Sequence, residues 1–273
     1  MKKKIIITGV SGFIGKIFFN KIKNKFNVYG IYNSTKINEN KTKKIDLSNL
    51  IETKNFIKKI KPDVIFHFAA MTNPKLNELD KKKSYKSNFI VTKNIVKCAN
   101  KKTKIVFLST DKVYDGNYRK NSEKDIPKPL NFYGRQKLNS ENFIKKNIDK
   151  FYILRLPIVH SNGRVKKKSI IDKFIYEINK DKKINIFSNV VRSFIKINEL
   201  NDFMIKLIDM DKNYGTYNIG SKPYSYLNRV FLLSTINEKK FRKLVEGNLG
   251  KVFPLKQPID VSKVKKVFNM SFS

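Results

Sequence analysis

The sequence predicts an α/β fold: a doubly wound parallel sheet with helices on both faces and a smaller, interleaved C-terminal lobe. Three observations predict it. The N-terminal half alternates short β-branched apolar runs with amphipathic stretches at helical spacing. Those runs are nearly continuous rather than alternating, as strands buried on both faces must be. The first run leads through a glycine-spaced turn into an amphipathic helix, the opening of a right-handed βαβ unit.

Lys4–Thr8 reads as the first strand. The helix predicted over Phe13–Lys25 places Ile14, Ile17, Phe18, Ile22 and Phe26 on one face. Asn27–Tyr32 is a strand, Leu50–Ile60 a helix stopped by Pro62, and Asp63–Phe68 a strand. A long helix over Lys83–Asn100 precedes a strand over Lys104–Ser109, a helix over Phe132–Lys146 and a strand over Phe151–Leu156. Beyond Pro157 the pattern loosens. Helices are expected over Lys167–Asn179, Glu199–Asp209 and Val261–Phe268, with strands over Ile184–Phe187 and Gly215–Ile219. Residues 1–160 then form one domain, with 190–220 returning to it, and 161–273 form most of the second lobe.

Composition narrows the function classes. Hydrophobic residues make up 40% and charged residues 30% of 273, which suits a packed core of this length. The single cysteine, Cys98, rules out an intrachain disulfide framework and fits a reducing compartment. Only His67 and His160 are present, so no metal site is expected. The basic, apolar start is too short and too interrupted by Gly9 and Ser11 for a signal peptide. No stretch approaches the ~20 apolar residues of a membrane span. These features lead to the expectation of a cytoplasmic protein without a membrane partner. The charge is the odd feature, 59 basic against 22 acidic residues for a net +37. It suggests nucleic acid, but the lysines are spread along the chain, and no zinc finger, RNP sequence or basic heptad accompanies them. A solvated lysine excess is the reading adopted, with no nucleic-acid partner, although the charge would attract anionic ligands.

The turn after the first strand is Thr8-Gly9-Val10-Ser11-Gly12-Phe13-Ile14-Gly15. Gly9 permits a tight turn, Gly12 lets backbone approach a pyrophosphate, and Gly15 lets the helix pack on the strand. The helix N-terminus that follows offers free N–H groups to phosphate. This makes the fold Rossmann-type and the expected ligand a dinucleotide. At the end of the second strand, Asn33-Ser34-Thr35-Lys36 supplies hydroxyls and a lysine where NAD-preferring proteins have an acid, which favours NADP(H) and leaves NAD(H) as the alternative.

Tyr133 and Lys137 are spaced i, i+4 and share a helix face. Carbonyl reduction needs a proton donor at oxygen while hydride arrives at carbon. A tyrosine can serve if a nearby ammonium and an oxidised nicotinamide lower its pKa. The pair follows a strand that ends in Ser109-Thr110-Asp111-Lys112, and ligands of open α/β sheets sit at such carboxyl ends. Asp111 equally suits a turn cap.

The spacing TGxxGFIG together with YxxxK resembles the extended branch of the short-chain dehydrogenase/reductase superfamily. STDKVYDG, then Glu123, Asp125, Pro127 and Pro129-Leu130-Asn131-Phe132-Tyr133-Gly134, then Lys137-Leu138 and Glu141, resembles the dTDP-4-dehydrorhamnose reductase subgroup. Pro258–Val264 is similar to that subgroup's tail, so the resemblance spans essentially the whole chain. It implies Thr110, Tyr133 and Lys137 as catalytic residues. It implies Gly9, Ser11, Gly12, Phe13, Ile14, Gly15, Asn33, Asp46, Leu47, Ala69, Ala70, Tyr133 and Lys137 at the cofactor. Thr110, Asp111, Lys112 and Arg192 would then face a nucleotide-sugar substrate. Asp46-Leu47 resembles the acidic-apolar pair beside the adenine, although Asp46 also suits a helix start. Asn88 matches a family asparagine or is a solvated helix residue. His67 is expected as a hydrogen-bonded core residue rather than a catalyst. Arg192 and Arg155 are the candidates for a substrate pyrophosphate, each with a salt-bridge role as the alternative. A homodimer enters by analogy alone.

Two departures stand out: Lys112 where the subgroup has an aromatic, and no Trp in 154–159 or anywhere else. The resemblance implies NADP(H)-dependent reduction of a 4-keto-6-deoxy nucleotide sugar. A nucleotide-sugar 4,6-dehydratase or epimerase on the same scaffold, and a non-enzymatic cofactor-binding regulatory subunit, remain the alternatives.

Overall fold

The computed structural model describes residues 2–116, 120–161, 169–248 and 255–273. The chain forms two compact units. The first comprises Met1–Val113, Pro127–Arg155 and Met204–Tyr217; the second comprises Tyr114–Ile126, Leu156–Phe203 and Asn218–Ser273. The sequence drew its division after residue 160 with 190–220 returning. In the structure the segment that joins the first unit is 204–217, and residues 114–126 group with the second.

The first unit is built on a parallel sheet. Its strands are β1 (Lys4–Thr8), β2 (Asn27–Tyr32), β3 (Thr42–Lys44), β4 (Val64–His67), β5 (Lys104–Thr110) and β6 (Phe151–Leu156), with Gly215–Asn218 as the seventh. The spatial order is Gly215–Asn218, β6, β5, β4, β1, β2, β3. Every residue of β4 and β5 is buried, which is why their sequences run apolar without alternation. The short, lysine-bearing β3 closes one edge, where charge discourages further pairing. Ile6, Ile65, Ile105, Phe107 and Ile153 form the centre of the core.

Helices α1 (Phe13–Ile22), α2 (Leu50–Ile60), α3 (Pro74–Leu79), α4 (Lys81–Tyr85), α5 (Val91–Cys98) and α6 (Phe132–Asn147) belong to this unit, as does the second half of the helix Ile197–Asp209. Asn49 caps α2 by accepting from Ile51 N and Glu52 N, and the helix stops at Lys61 in the left-handed region, one residue before Pro62. The single helix expected over Lys83–Asn100 is interrupted. A π-helical turn, Lys86–Ile90, separates α4 from α5. Such insertions cluster at functional sites. This one is held by buried Asn88, whose Oδ1 accepts from Met71 N and whose carbonyl accepts from the Thr92 and Ser140 hydroxyls.

The second unit has its own core, of Ile171, Ile175, Ile178, Ile184, Ile186, Phe194, Val230 and Phe241. The helix expected from Lys167 begins at Ile170, capped by Ser169; residues 162–168 lie outside the described residues. Val245–Asn248 runs parallel to Ile184–Phe187. Among the described residues no helix is long and apolar enough to cross a membrane.

Candidate functional site

Strand order reverses between β1 and β4, so their carboxyl ends border the crevice where doubly wound sheets bind ligands. The last residues of the two strands, Thr8 and His67, are register partners. Gly9 then turns with φ +68, and a Cβ on it would stand 2.8 Å from Ala69 N and Cα. A Cβ on Gly15 would run into the Gly9 carbonyl oxygen. Glycine at these two positions is therefore what lets the loop pack this closely on itself and on the chain after β4. Gly12 is the N-cap of α1 and offers no side-chain cap, so the first-turn N–H groups have no side-chain acceptor at the cap.

A cleft of about 580 Å³ opens beside this loop. Of the residues expected at the cofactor, Gly9, Ser11, Gly12, Asn33, Asp46, Leu47, Ala69 and Ala70 line it. Phe13, Ile14 and Gly15 form the first turn of α1 without lining the cleft, and Lys36 does not line it either. Ser34, read from the sequence as a hydroxyl at the ribose, lines it too, and sequence reasoning missed Lys83, Lys86 and Ser48, which do as well. Asp46 accepts from Ser48 N (2.9 Å) and Ser48 Oγ (2.6 Å), bonds that hold its carboxyl below the usual range, helped by Lys86 at 3.7 Å.

Beneath the cleft floor lies a buried relay. Thr8 Oγ1 accepts from Phe68 N and Ala69 N, both at 3.1 Å, and so gives its own proton to His67 Nδ1 at 2.8 Å. His67 Nε2 carries the ring proton and donates to Thr92 Oγ1 at 2.9 Å, whose hydroxyl donates to the Asn88 carbonyl. Burial first, and the Lys137 charge second, push His67 down to about 3, so it is a neutral core residue as expected. Asn88 is not the solvated residue of the alternative reading; its amide donates to Asn77 Oδ1 and Met71 O.

The second cluster stands at the end of β5. Thr110 and Asp111 are buried where the strand passes into a 3₁₀ turn, Asp111–Val113. Thr110 Oγ1 donates to Asp111 Oδ1 at 3.3 Å and accepts from Lys112 N at 3.2 Å. Asn131 caps α6 by accepting from Gly134 N at 2.7 Å. Gly134 packs so tightly on this turn that a Cβ would collide with the Lys112 carbonyl oxygen. That approach delivers buried Tyr133 and Lys137 to the strand end. The chain's own residues push the Tyr133 phenol upward, through burial and then the Asp111 carboxylate. Burial instead depresses Lys137, to about 7, against the upward pull of Glu141. Its ammonium lies 4.1 Å from the Phe107 ring centroid.

The two readings of Arg155 are separated by its surroundings. It is 1% exposed and donates to Glu141 through Nε (3.1 Å to Oε1) and Nη2 (2.7 Å to Oε2). Ser109 Oγ donates to the same carboxylate at 2.5 Å. A buried bidentate ion pair leaves no guanidinium for a pyrophosphate, so Arg155 takes the salt-bridge alternative. Arg192 belongs to the second unit, where Nη1 donates to the carbonyls of Val191 (2.8 Å) and Leu255 (2.9 Å). The structure thus brings Thr110, Asp111, Lys112, Tyr133 and Lys137 together in the first unit, and Arg192 is placed in the second.

The RmlD substrate binding domain matches residues 2–228. The chain belongs to that family, within the extended short-chain dehydrogenase/reductase superfamily. It is 31% identical over 233 residues to the GDP-6-deoxy-D-talose 4-dehydrogenase of Aggregatibacter actinomycetemcomitans, covering 79% of this chain and 74% of that protein. It is 30% identical over 173 residues to the methionine adenosyltransferase 2 subunit beta of Xenopus laevis, covering 61% of this chain. The chain spans about half the length (49%) of that curated relative. A hypothetical dTDP-4-dehydrorhamnose reductase from Sulfolobus tokodaii superposes with a TM-score of 0.85 at 27% identity, over 98% of this chain and 96% of that one. More distant structures of the same fold hold NADP or NAD.

Proposed function

We propose that the chain is an NADP(H)-dependent reductase of a 4-keto-6-deoxy nucleotide sugar, similar to dTDP-4-dehydrorhamnose reductase and acting in the cytoplasm. The observation that carries this reading is the buried Tyr133–Lys137 face of α6, locked by the Gly134 contact onto the strand end that bears Thr110. A close-packed glycine loop and a cleft beside it at the switch point of the same sheet fit a dinucleotide.

When bound, the nicotinamide supplies the hydride for the sugar's C4. Thr110 Oγ1 holds the carbonyl oxygen, and Tyr133 donates its proton to that oxygen as charge develops there. Lys137 holds the nicotinamide ribose and favours the phenolate left behind. Because Tyr133 starts with its pKa raised, it is a proton donor rather than a base in the resting site. In this reading the first unit binds the dinucleotide, and the second, with Arg192, binds the sugar nucleotide.

The 4-dehydrogenase relative supports redox chemistry at C4 of a 6-deoxy sugar. The subunit-beta relatives favour a second reading, a cofactor-binding regulatory subunit. One experiment separates them: loss of NADPH absorbance with a panel of 4-keto-6-deoxy nucleotide sugars, for wild type and Tyr133→Phe. The reductase reading expects turnover with at least one sugar and its loss in the variant. No loss of absorbance and no change in any sugar of the panel by NMR, despite tight cofactor binding, favours the regulatory subunit.

A further inference from the structure

NADP differs from NAD by one phosphate on the adenosine ribose, and in doubly wound folds that ribose lies at the end of the second strand. Here β2 ends in Tyr32, followed by Asn33 and Ser34, both on the cleft. Asp46 stands beside this end, because Ile45 N donates to the Tyr32 carbonyl at 3.1 Å. Asp46 is the one carboxylate among the described residues that line the cleft, and Ser48 and Lys86 already engage it. Two cations, Lys83 and Lys86, spaced i, i+3, line the same cleft, Lys86 within 3.7 Å of Asp46. Lys83 has no carboxylate within ion-pair distance among the described residues, and Lys86 shares its charge with Asp46 alone. The cleft wall therefore carries an uncompensated positive charge and no free acid to repel a phosphate.

We infer that Lys83 and Lys86 read the ribose 2′-phosphate, so that these two lysines, and not Lys36, set the preference for NADP(H). The inference rests on the cleft being the seat of the adenosine half of the cofactor, and it is independent of which sugar is reduced. Both side chains are exposed, so each contact is a screened, charge-assisted one that salt weakens.

The test is equilibrium binding of NADPH and NADH, followed by cofactor fluorescence, for wild type, Lys83→Met, Lys86→Met and the double variant. Lys36→Met and Lys58→Met serve as controls for the general loss of one positive charge. We expect each single variant to raise the NADPH Kd by about 3- to 10-fold and the double variant by more. NADH affinity should stay within about twofold, which also reports an intact fold, and the controls should match wild type. Equal loss for both cofactors, or no change beyond the controls, overturns the assignment. Wild type that binds neither cofactor would instead defeat the dinucleotide reading itself.

Discussion

The ammonium of Lys137 sits 4.1 Å from the centroid of the Phe107 ring. Phe107 in turn lies against the His67 ring, 5.4 Å between centroids. A buried cation thus rests on an aromatic floor next to a buried imidazole that must stay neutral. This stack links the glycine-loop strand, through Thr8 and His67, to the helix that carries Tyr133.

Lys137 is pushed down to about 7 in the folded chain, from near 10.4 unfolded. The unfolded chain therefore binds more protons between those values, and stability rises with pH across that window. Below about 7 the full cost of the buried charge is present. Lys137→Met should abolish turnover yet raise the melting temperature, more at pH 6 than at pH 9, in thermal unfolding scans. A destabilised variant at pH 6 would show that the ammonium is well solvated.

His67 acts at the acid end. Its folded value of about 3 lies below the free value near 6.5, so stability falls as pH drops through that interval while the unfolded chain takes up the proton. His67→Gln should cost stability at neutral pH by breaking the Thr8–Thr92 relay. It should also flatten the acid limb of a denaturant-midpoint profile between pH 6.5 and 3.

The Ser109–Glu141–Arg155 cluster should behave as a unit. Glu141→Gln or Arg155→Met strands one buried charge and should cost about 3–5 kcal/mol in chemical denaturation. Glu141→Leu combined with Arg155→Met should recover most of that loss, since an apolar replacement removes both desolvation costs. Additive losses would mean the two residues do not share one interaction.

Gly134 sets the approach of α6 to the turn after β5. Gly134→Ala must push the helix away from the Lys112 carbonyl. It should lower kcat by at least about tenfold in steady-state assays, with a rise in the NADPH Kd as well, because Lys137 rides on the same helix. An unchanged kcat would mean that the helix absorbs the methyl group without displacing Tyr133.

Much of the first unit was readable because parallel strands buried on both faces leave continuous apolar runs, and β1, β2, β6 and α2 stand where periodicity placed them. The glycine loop and the Tyr133–Lys137 face were readable for a related reason: each is local, its geometry set within a few residues. What escaped depends on distant partners. The π turn at Lys86–Ile90 is held by Asn88 bonds to Met71 and Ser140, which no periodicity records. Arg155 stayed open between two readings because its partner lies 14 residues away on a neighbouring helix. Lys83 and Lys86 were hidden by abundance, since in a chain with 59 basic residues no lysine stands out until a cleft singles it out. In the second unit, strands of two to four residues are too short to show a period.

The most direct test follows the hydride. NADPH deuterated at nicotinamide C4, on the transferred face, is incubated with the 4-keto-6-deoxy nucleotide sugar that supports turnover, and the product is read by NMR and mass spectrometry. The account predicts one NADPH consumed per sugar, one deuterium at sugar C4, and neither in Tyr133→Phe. A sugar that changes without net NADPH consumption would contradict it and assign the chain to epimerase or dehydratase chemistry.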